Sequence, residues 1–275
     1  MIKKFLKIII AIILIFTISQ GQNNGKSIGN CDEIVKDNFG NIYTLNISVG
    51  MIKKYSSNYE LLYQFNSNTG NQSIFVSPKN INIVEPNIVY LLDDQTSKIL
   101  EFDEYLNFIQ SIDLPEEFTF PSRFIVLSNR DWLIYDEFQK QIFRVKPGEN
   151  ISQSWGDKQV KHFLNEKVQL NYLKGFIYMF VKKRNRLLII NNTGMVKLDC
   201  KMPDEYSLSN LLSADLENIV FTDGNEIFNW HLRGNNIDTL FNYSNIIYLS
   251  KKNENFMISN KGEIIHYLPY NKKFK

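Results

Sequence analysis

The stretch Leu216–Trp230, LENIVFTDGNEIFNW, sets two apolar runs on either side of Asp223-Gly224-Asn225. Val, Ile, Phe and Trp suit a pleated, half-buried surface, while Gly and Asn tolerate the dihedrals that reverse a chain, so the stretch predicts a β-hairpin. The first run has counterparts along the whole chain: NIYTLN from Asn41, NIVYLLDD from Asn87, DWLIYDE from Asp131, GFIYMFV from Gly175, NIVFTDG from Asn218 and NFMISNKG from Asn255. Their starts are 46, 44, 44, 43 and 37 residues apart. A second apolar run follows each one: GMIKKY from Gly50, SKILEFDE from Ser97, KQIFRVK from Lys140, NRLLIIN from Asn185, NEIFNWHL from Asn225 and GEIIHYL from Gly262.

A repeat of this length, built from short strands and polar turns, predicts blades of four antiparallel strands around one axis. ELLYQF from Glu60, NFIQSID from Asn107 and NNIDTLF from Asn235 supply outer strands, and INIVEP, RFIVLSN, VQLNYL and IIYLSK supply axial ones. The expectation is an all-β, six-bladed β-propeller with mostly four-stranded antiparallel blades, at roughly 30 to 68, 78 to 114, 121 to 155, 167 to 200, 207 to 241 and 243 to 275. The last repeat has three clear strands, so residues 22 to 30 are expected to add its outer strand and protect two open sheet edges. A pair of packed β-sandwiches is the alternative that strand propensity leaves open. The N-I/V-Y-like first strands and the Gly, Asn or Lys turns before I/L/F/V-rich second strands resemble exported bacterial six-bladed propellers of the broad NHL-like group. No WD dipeptide ends the repeats, and no kelch double glycine occurs. The resemblance implies an interaction or structural role, since this fold hosts enzymes, sensors and scaffolds alike.

The N-terminus, MIKKFLKIIIAIILIFTISQGQNNG, places Lys3, Lys4 and Lys7 before an apolar run and then small or polar residues. That order predicts a secretory signal peptide over residues 1–21, with an uncleaved membrane anchor as the alternative. The remaining 254 residues, 22–275, are expected to form a single propeller domain that is periplasmic or secreted, with no stable membrane insertion after cleavage. Removing the three leader lysines takes the net charge from +2 to −1, with signs mixed along the chain, and so excludes a nucleic-acid binder. Cys31 and Cys200 are too few for a disulfide framework, and opposite blades would hold them too far apart to bond.

The sequence carries no nucleophile elbow, P-loop, dinucleotide fingerprint, EF-hand loop or HExxH motif. No catalytic residue and no cofactor are predicted, and a metal is left undecided. Asp93 and Asp94, with Glu101, Asp103 and Glu104, form the densest acidic cluster, but their alternation beside Leu100 and Phe102 favours solvated turn and strand faces. Asp136 and Glu137 make a similar turn one repeat later. Candidates for ligand or partner contact are Trp132, the basic hairpin tip of Arg184 and Arg186, Trp230 and His231. His231 and His266 fall at nearly matching repeat positions without the spacing of a metal site, and His162 stands in a polar connector. The leading expectation is a noncatalytic exported module that binds an envelope or secreted protein. The alternatives are a sensor of a small ligand or glycan, and a hydrolase or lyase with a site distributed over several blades.

Overall fold

The computed structural model describes residues 28, 31–67, 74–84, 88–149, 152–208, 210–214, 216–242, 246–252, 255–260 and 264–269. The first sheet runs β1 (Glu33–Lys36), β2 (Ile42–Asn46), β3 (Met51–Tyr55) and β4 (Leu61–Asn66). The second runs β5 (Pro78–Val84), β6 (Ile88–Asp93), β7 (Lys98–Phe102) and β8 (Phe108–Asp113). The third runs β9 (Pro121–Val126), β10 (Trp132–Asp136), β11 (Gln141–Val145) and β12 (Ser152–Ser154). After a short helix, α1 (Lys158–Phe163), the fourth runs β13 (Val168–Leu173), β14 (Phe176–Val181), β15 (Arg186–Asn191) and β16 (Val196–Lys201). The fifth runs β17 (Asn210–Ala214), β18 (Asn218–Thr222), β19 (Glu226–His231) and β20 (Asn236–Asn242), and a last sheet holds β21 (Ile246–Lys252), β22 (Asn255–Asn260) and β23 (Ile264–Pro269).

Within each sheet consecutive strands are antiparallel neighbours. The first strands of the sheets touch in a closed circuit, β1 to β5, β9, β13, β17, β21 and back to β1. The molecule is therefore an all-β propeller. The expected six four-stranded blades are corrected to five, because the last sheet pairs only three strands among the described residues. Residues 22 to 27, 29 and 30, expected to complete it, lie outside the described residues, as does the leader. Among the described residues no helix is long and apolar enough to cross a membrane.

The second, third and fourth blades are packed on both sides, which is why their middle strands read as continuous apolar runs rather than alternating ones. Leu91 and Leu100 pack toward the first blade with Tyr43, Leu45 and Ile52, whereas Leu92 and Ile99 pack toward the third with Phe124, Trp132 and Phe143. The third and fourth blades share Leu133, Ile142, Ile177 and Leu188, with Val160 and Phe163 of α1 closing the gap. Tyr178, Ile189, Phe221 and Trp230 join the fourth to the fifth. Full burial of each such side chain contributes about 1.5–3 kcal/mol, so the interblade wedges dominate stability.

Gly156 and Gly194 allow α1 to sit where it does. Both have positive φ (95° and 87°), and a Cβ on Gly194 would lie 2.9 Å from the Gly156 backbone. Asp157 N–H donates to the Gly194 carbonyl across this approach (2.9 Å), and the Asp157 carboxylate caps α1 by accepting from Gln159 and Val160 N–H.

Candidate functional site

The most organised surface lies at one end of the first three blades. In an up-and-down sheet, the turn from the second to the third strand and the link from the fourth strand to the next blade lie at the same end. Here those segments are 47–50, 74–77, 94–97, 114–120 and 137–140. The second strands end in Asn46, Asp93 and Asp136, and each following turn closes on a left-handed residue, Gly50 (φ 61°), Ser97 (φ 53°) and Lys140 (φ 55°). Two recurrent backbone bonds join turn to link. The residue after the fourth strand donates to the last turn residue, Ser67 N–H to the Gly50 carbonyl (3.0 Å) and Leu114 N–H to the Ser97 carbonyl (2.9 Å). The first turn residue donates to the end of the link, Asp94 N–H to the Ser77 carbonyl (3.2 Å) and Glu137 N–H to the Phe120 carbonyl (2.9 Å).

Asp93 and Asp136 are fully buried, which corrects the expectation of solvated acidic turns for both. A buried carboxylate must be satisfied, and each is bound by backbone donors from two segments. Asp136 Oδ2 accepts from Thr119 N–H (2.7 Å) and Phe120 N–H (2.9 Å), while Oδ1 accepts from Phe138 N–H (3.0 Å) and Gln139 N–H (2.9 Å). Asp93 binds Val76 N–H (2.7 Å), Ser77 N–H (3.2 Å) and Gln95 N–H (3.2 Å) in the same manner. Asn46 Oδ1 takes the Ser48 hydroxyl (2.8 Å) and Val49 N–H (3.2 Å).

The segments so fixed present apolar side chains to water. Phe138 is 75 % and Val76 56 % exposed, and Val49, Ile74 and Phe120 are exposed beside them in sequence or across the turns. At the opposite end of the first two blades, the starts of the outer strands carry exposed Leu61, Leu62, Tyr63, Phe108 and Ile109, and Tyr63 meets Tyr105 of the β7–β8 turn in edge contact at 5.3 Å. Turns are normally polar, and apolar groups gathered on rigid turns mark an interaction surface.

A second cluster occupies the axis. Glu33, Asn80 and Arg123 stand at equivalent places in β1, β5 and β9, opposite Leu45, Leu92 and Tyr135. Glu33 accepts from Ile81 N–H (3.0 Å), and one blade on Asn80 accepts from Phe124 N–H (3.0 Å), while Asn82 donates to the Phe124 carbonyl (2.8 Å). These side chains zip neighbouring first strands together. Arg123 has no acceptor to repeat the pattern and instead pairs with Glu33 across two blades (2.6 Å).

The residues singled out from sequence are scattered. Trp132 and Trp230 are buried between blades rather than exposed for contact. Trp132 packs on Phe124 (5.5 Å), and Trp230 donates its indole N–H to Asn235 (2.9 Å). Arg184 and Arg186 do come together, over the Phe163 ring at 5.2 and 5.7 Å, but each is ion-paired, to Glu166 and Asp199 respectively. His231 contacts Asn218 (2.7 Å) and Asp238 (2.9 Å) on the fifth blade. It faces the first residue of β18, whereas His266 faces Ile258, the fourth of β22, so the two histidines do not occupy equivalent rungs. The side chain of His266 lies outside the described residues. His162 is exposed on α1.

Both cysteines are free, Cys31 buried and Cys200 half-buried. Burial, helped by the neighbouring Asp32, pushes the Cys31 thiol up to about 12. Among the described residues no group of three or more His, Cys, Asp or Glu is placed to hold a metal.

These features define a β-propeller with a built, apolar loop face. No family model and no curated protein matches the chain. Among solved structures it is similar to virginiamycin B lyase from Staphylococcus aureus, at 11 % identity and a TM-score of 0.58, over 85 % of this chain and 78 % of that one. It is also similar to a protein of unknown function from Bacteroides thetaiotaomicron (11 %, TM-score 0.58, 90 % and 72 %) and to the AfRom2 CNH domain (12 %, TM-score 0.54, 90 % and 84 %). At such identities the likeness shows the fold.

Proposed function

We propose that the protein is a noncatalytic interaction module, exported by its N-terminal segment, that binds a protein partner through the loop face of its first three blades. The observation that carries this reading is the pair of exposed phenylalanines, Phe120 and Phe138, whose backbones are both held by the buried Asp136 carboxylate. A fully buried acid holding two exposed aromatics is a costly arrangement unless the aromatics are covered in use. In the same reading the protein works in the periplasm or outside the cell, with no cofactor.

The test compares wild type with Phe120→Ser/Phe138→Ser as baits for envelope and secreted fractions, followed by calorimetric titration of each captured protein after purification. A partner bound by wild type and at least ten-fold more weakly by the variant is expected. Equal affinity for the variant rules this face out.

A lyase is the second reading, favoured by the fold likeness to virginiamycin B lyase together with the axial Glu33–Arg123 pair. Against it, the axial groups are already engaged with one another and with first-strand backbone. A structure of a catalytically inactive virginiamycin B lyase contains quinupristin, which supplies the probe. Incubation of this protein with quinupristin is expected to leave the compound unchanged, and its consumption would favour the lyase.

A further inference from the structure

The charges around the apolar loops say what chemistry the partner carries. In the segments 47–50, 74–77, 94–97, 114–120 and 137–140, the acidic residues are Asp94, Glu116, Glu117 and Glu137, against one base, Lys140. Asp94 is paired with Lys79 at 3.2 Å, and Glu117 accepts from Ser152, but Glu116 and Glu137 are exposed and flank the two phenylalanines. Glu137 directly precedes Phe138, and Glu116 lies four residues before Phe120 on a link whose Glu117 carbonyl is bound by Gln139 of the facing turn (2.5 Å). The face is thus apolar at its centre and acidic at its edge.

We infer that this face takes a polypeptide segment combining aromatic or aliphatic side chains with Lys or Arg, and that Glu116 and Glu137 select its charge. The inference rests on the docking reading above. Apolar burial supplies the affinity, and charge complementarity excludes acidic competitors. An anionic lipid surface is disfavoured by the same carboxylates.

The experiment titrates the full protein against two labelled synthetic amphipathic peptides that alternate Phe and Leu with Lys in one and with Glu in the other. The Lys peptide is expected to bind about ten-fold tighter at low salt, an advantage lost at high salt. Glu116→Lys/Glu137→Lys is expected to reverse the preference, and Phe120→Ser/Phe138→Ser to weaken both peptides by ten-fold or more. If the phenylalanine variant weakens both peptides while the charge reversal changes nothing, docking stands and the charge inference falls. If the phenylalanine variant changes nothing, the docking reading itself falls. Co-sedimentation with phosphatidylcholine/phosphatidylglycerol vesicles that the phenylalanine variant abolishes would overturn the proposal in favour of a lipid surface.

Discussion

Replacing Asp136 tests how the loop face is built. Its carboxylate is inaccessible to solvent and accepts four backbone N–H groups, two on each oxygen. Hydrogen bonds to a charged group each contribute about 1.5–3 kcal/mol, a gross total of roughly 6–12 kcal/mol. Thr119, Phe120, Phe138 and Gln139 are all exposed residues, so water reaches their N–H groups once the segments relax and recovers about half of the loss. Asp136→Ala should therefore cost ~3–5 kcal/mol, which lowers Tm by about 10 °C in a protein of this size. Asp136→Asn is more discriminating. Whichever way the amide is set, its NH2 meets two N–H donors in place of an oxygen, so the substitution should lose about 2–3 kcal/mol despite its shape. Asn46→Asp is the control, because one side-chain oxygen there takes both the Ser48 hydroxyl and Val49 N–H and a carboxylate oxygen accepts them equally well, so it should cost less than Asp136→Asn. Thermal unfolding followed by far-UV circular dichroism measures all three. An Asp136→Asn protein that melts with wild type would refute the two-oxygen account.

Three further outcomes follow from other sites. Gly194→Ala should destabilise by ~2–4 kcal/mol, since it adds a clash with the Gly156 backbone to a strained positive φ, and denaturant unfolding should show it. Ser97→Gly should stabilise by about 0.5–1 kcal/mol by relieving the left-handed strain that Gly50 escapes at the equivalent turn, again by denaturant unfolding. Burial raises Cys31 from 9.0 to about 12, so the folded state holds this proton more tightly than the unfolded chain. The stability it contributes is complete below pH 9 and is lost as pH rises from there toward 12, and Cys31→Ala should flatten this part of the Tm-versus-pH curve. Thiol labelling of the native protein near neutral pH should favour the half-buried Cys200 over Cys31.

The strand order was legible because the interblade wedges demand two adjacent apolar strands per repeat. Asn41, Asp131, Gly175, Asn218 and Asn255 each sit at or next to the start of a second strand, Asn87 lies outside the described residues, and the hairpin at Asp223-Gly224 is closed by Asp223 accepting from Asn225 and Glu226 N–H. α1 was not legible, since six residues are too few to show a helical period. Trp132 and Trp230 looked like surface candidates because a lone indole gives no sign of which wedge it fills. Asp93 and Asp136 looked solvated because composition alone does not distinguish an exposed turn acid from one that collects backbone donors. The usable signal was position: Asn46, Asp93 and Asp136 recur at the same strand end, and Phe138 then breaks the rule that turns are polar. The Glu33–Arg123 pair, 90 residues apart, needed the ring to bring it together.

The axial and loop clusters use the same chemistry to opposite effect, and the contrast separates scaffold from surface. At the axis, side-chain oxygens of Glu33 and Asn80 meet N–H groups that the first strands would leave unpaired, and nothing apolar is displayed in return. At the loops, Asp93 and Asp136 also meet backbone N–H groups, but the residues they fix carry Val76, Phe120 and Phe138 outward. Stability alone would be served as well by polar side chains at those three positions, because the bonds are made by backbone and not by the groups displayed. The apolar choice therefore has to be explained by what the face touches. Substituting Val76, Phe120 and Phe138 by Ser should leave Tm within a few degrees of wild type while removing binding, and a fall of Tm as large as that of Asp136→Ala would mean instead that these side chains serve the fold.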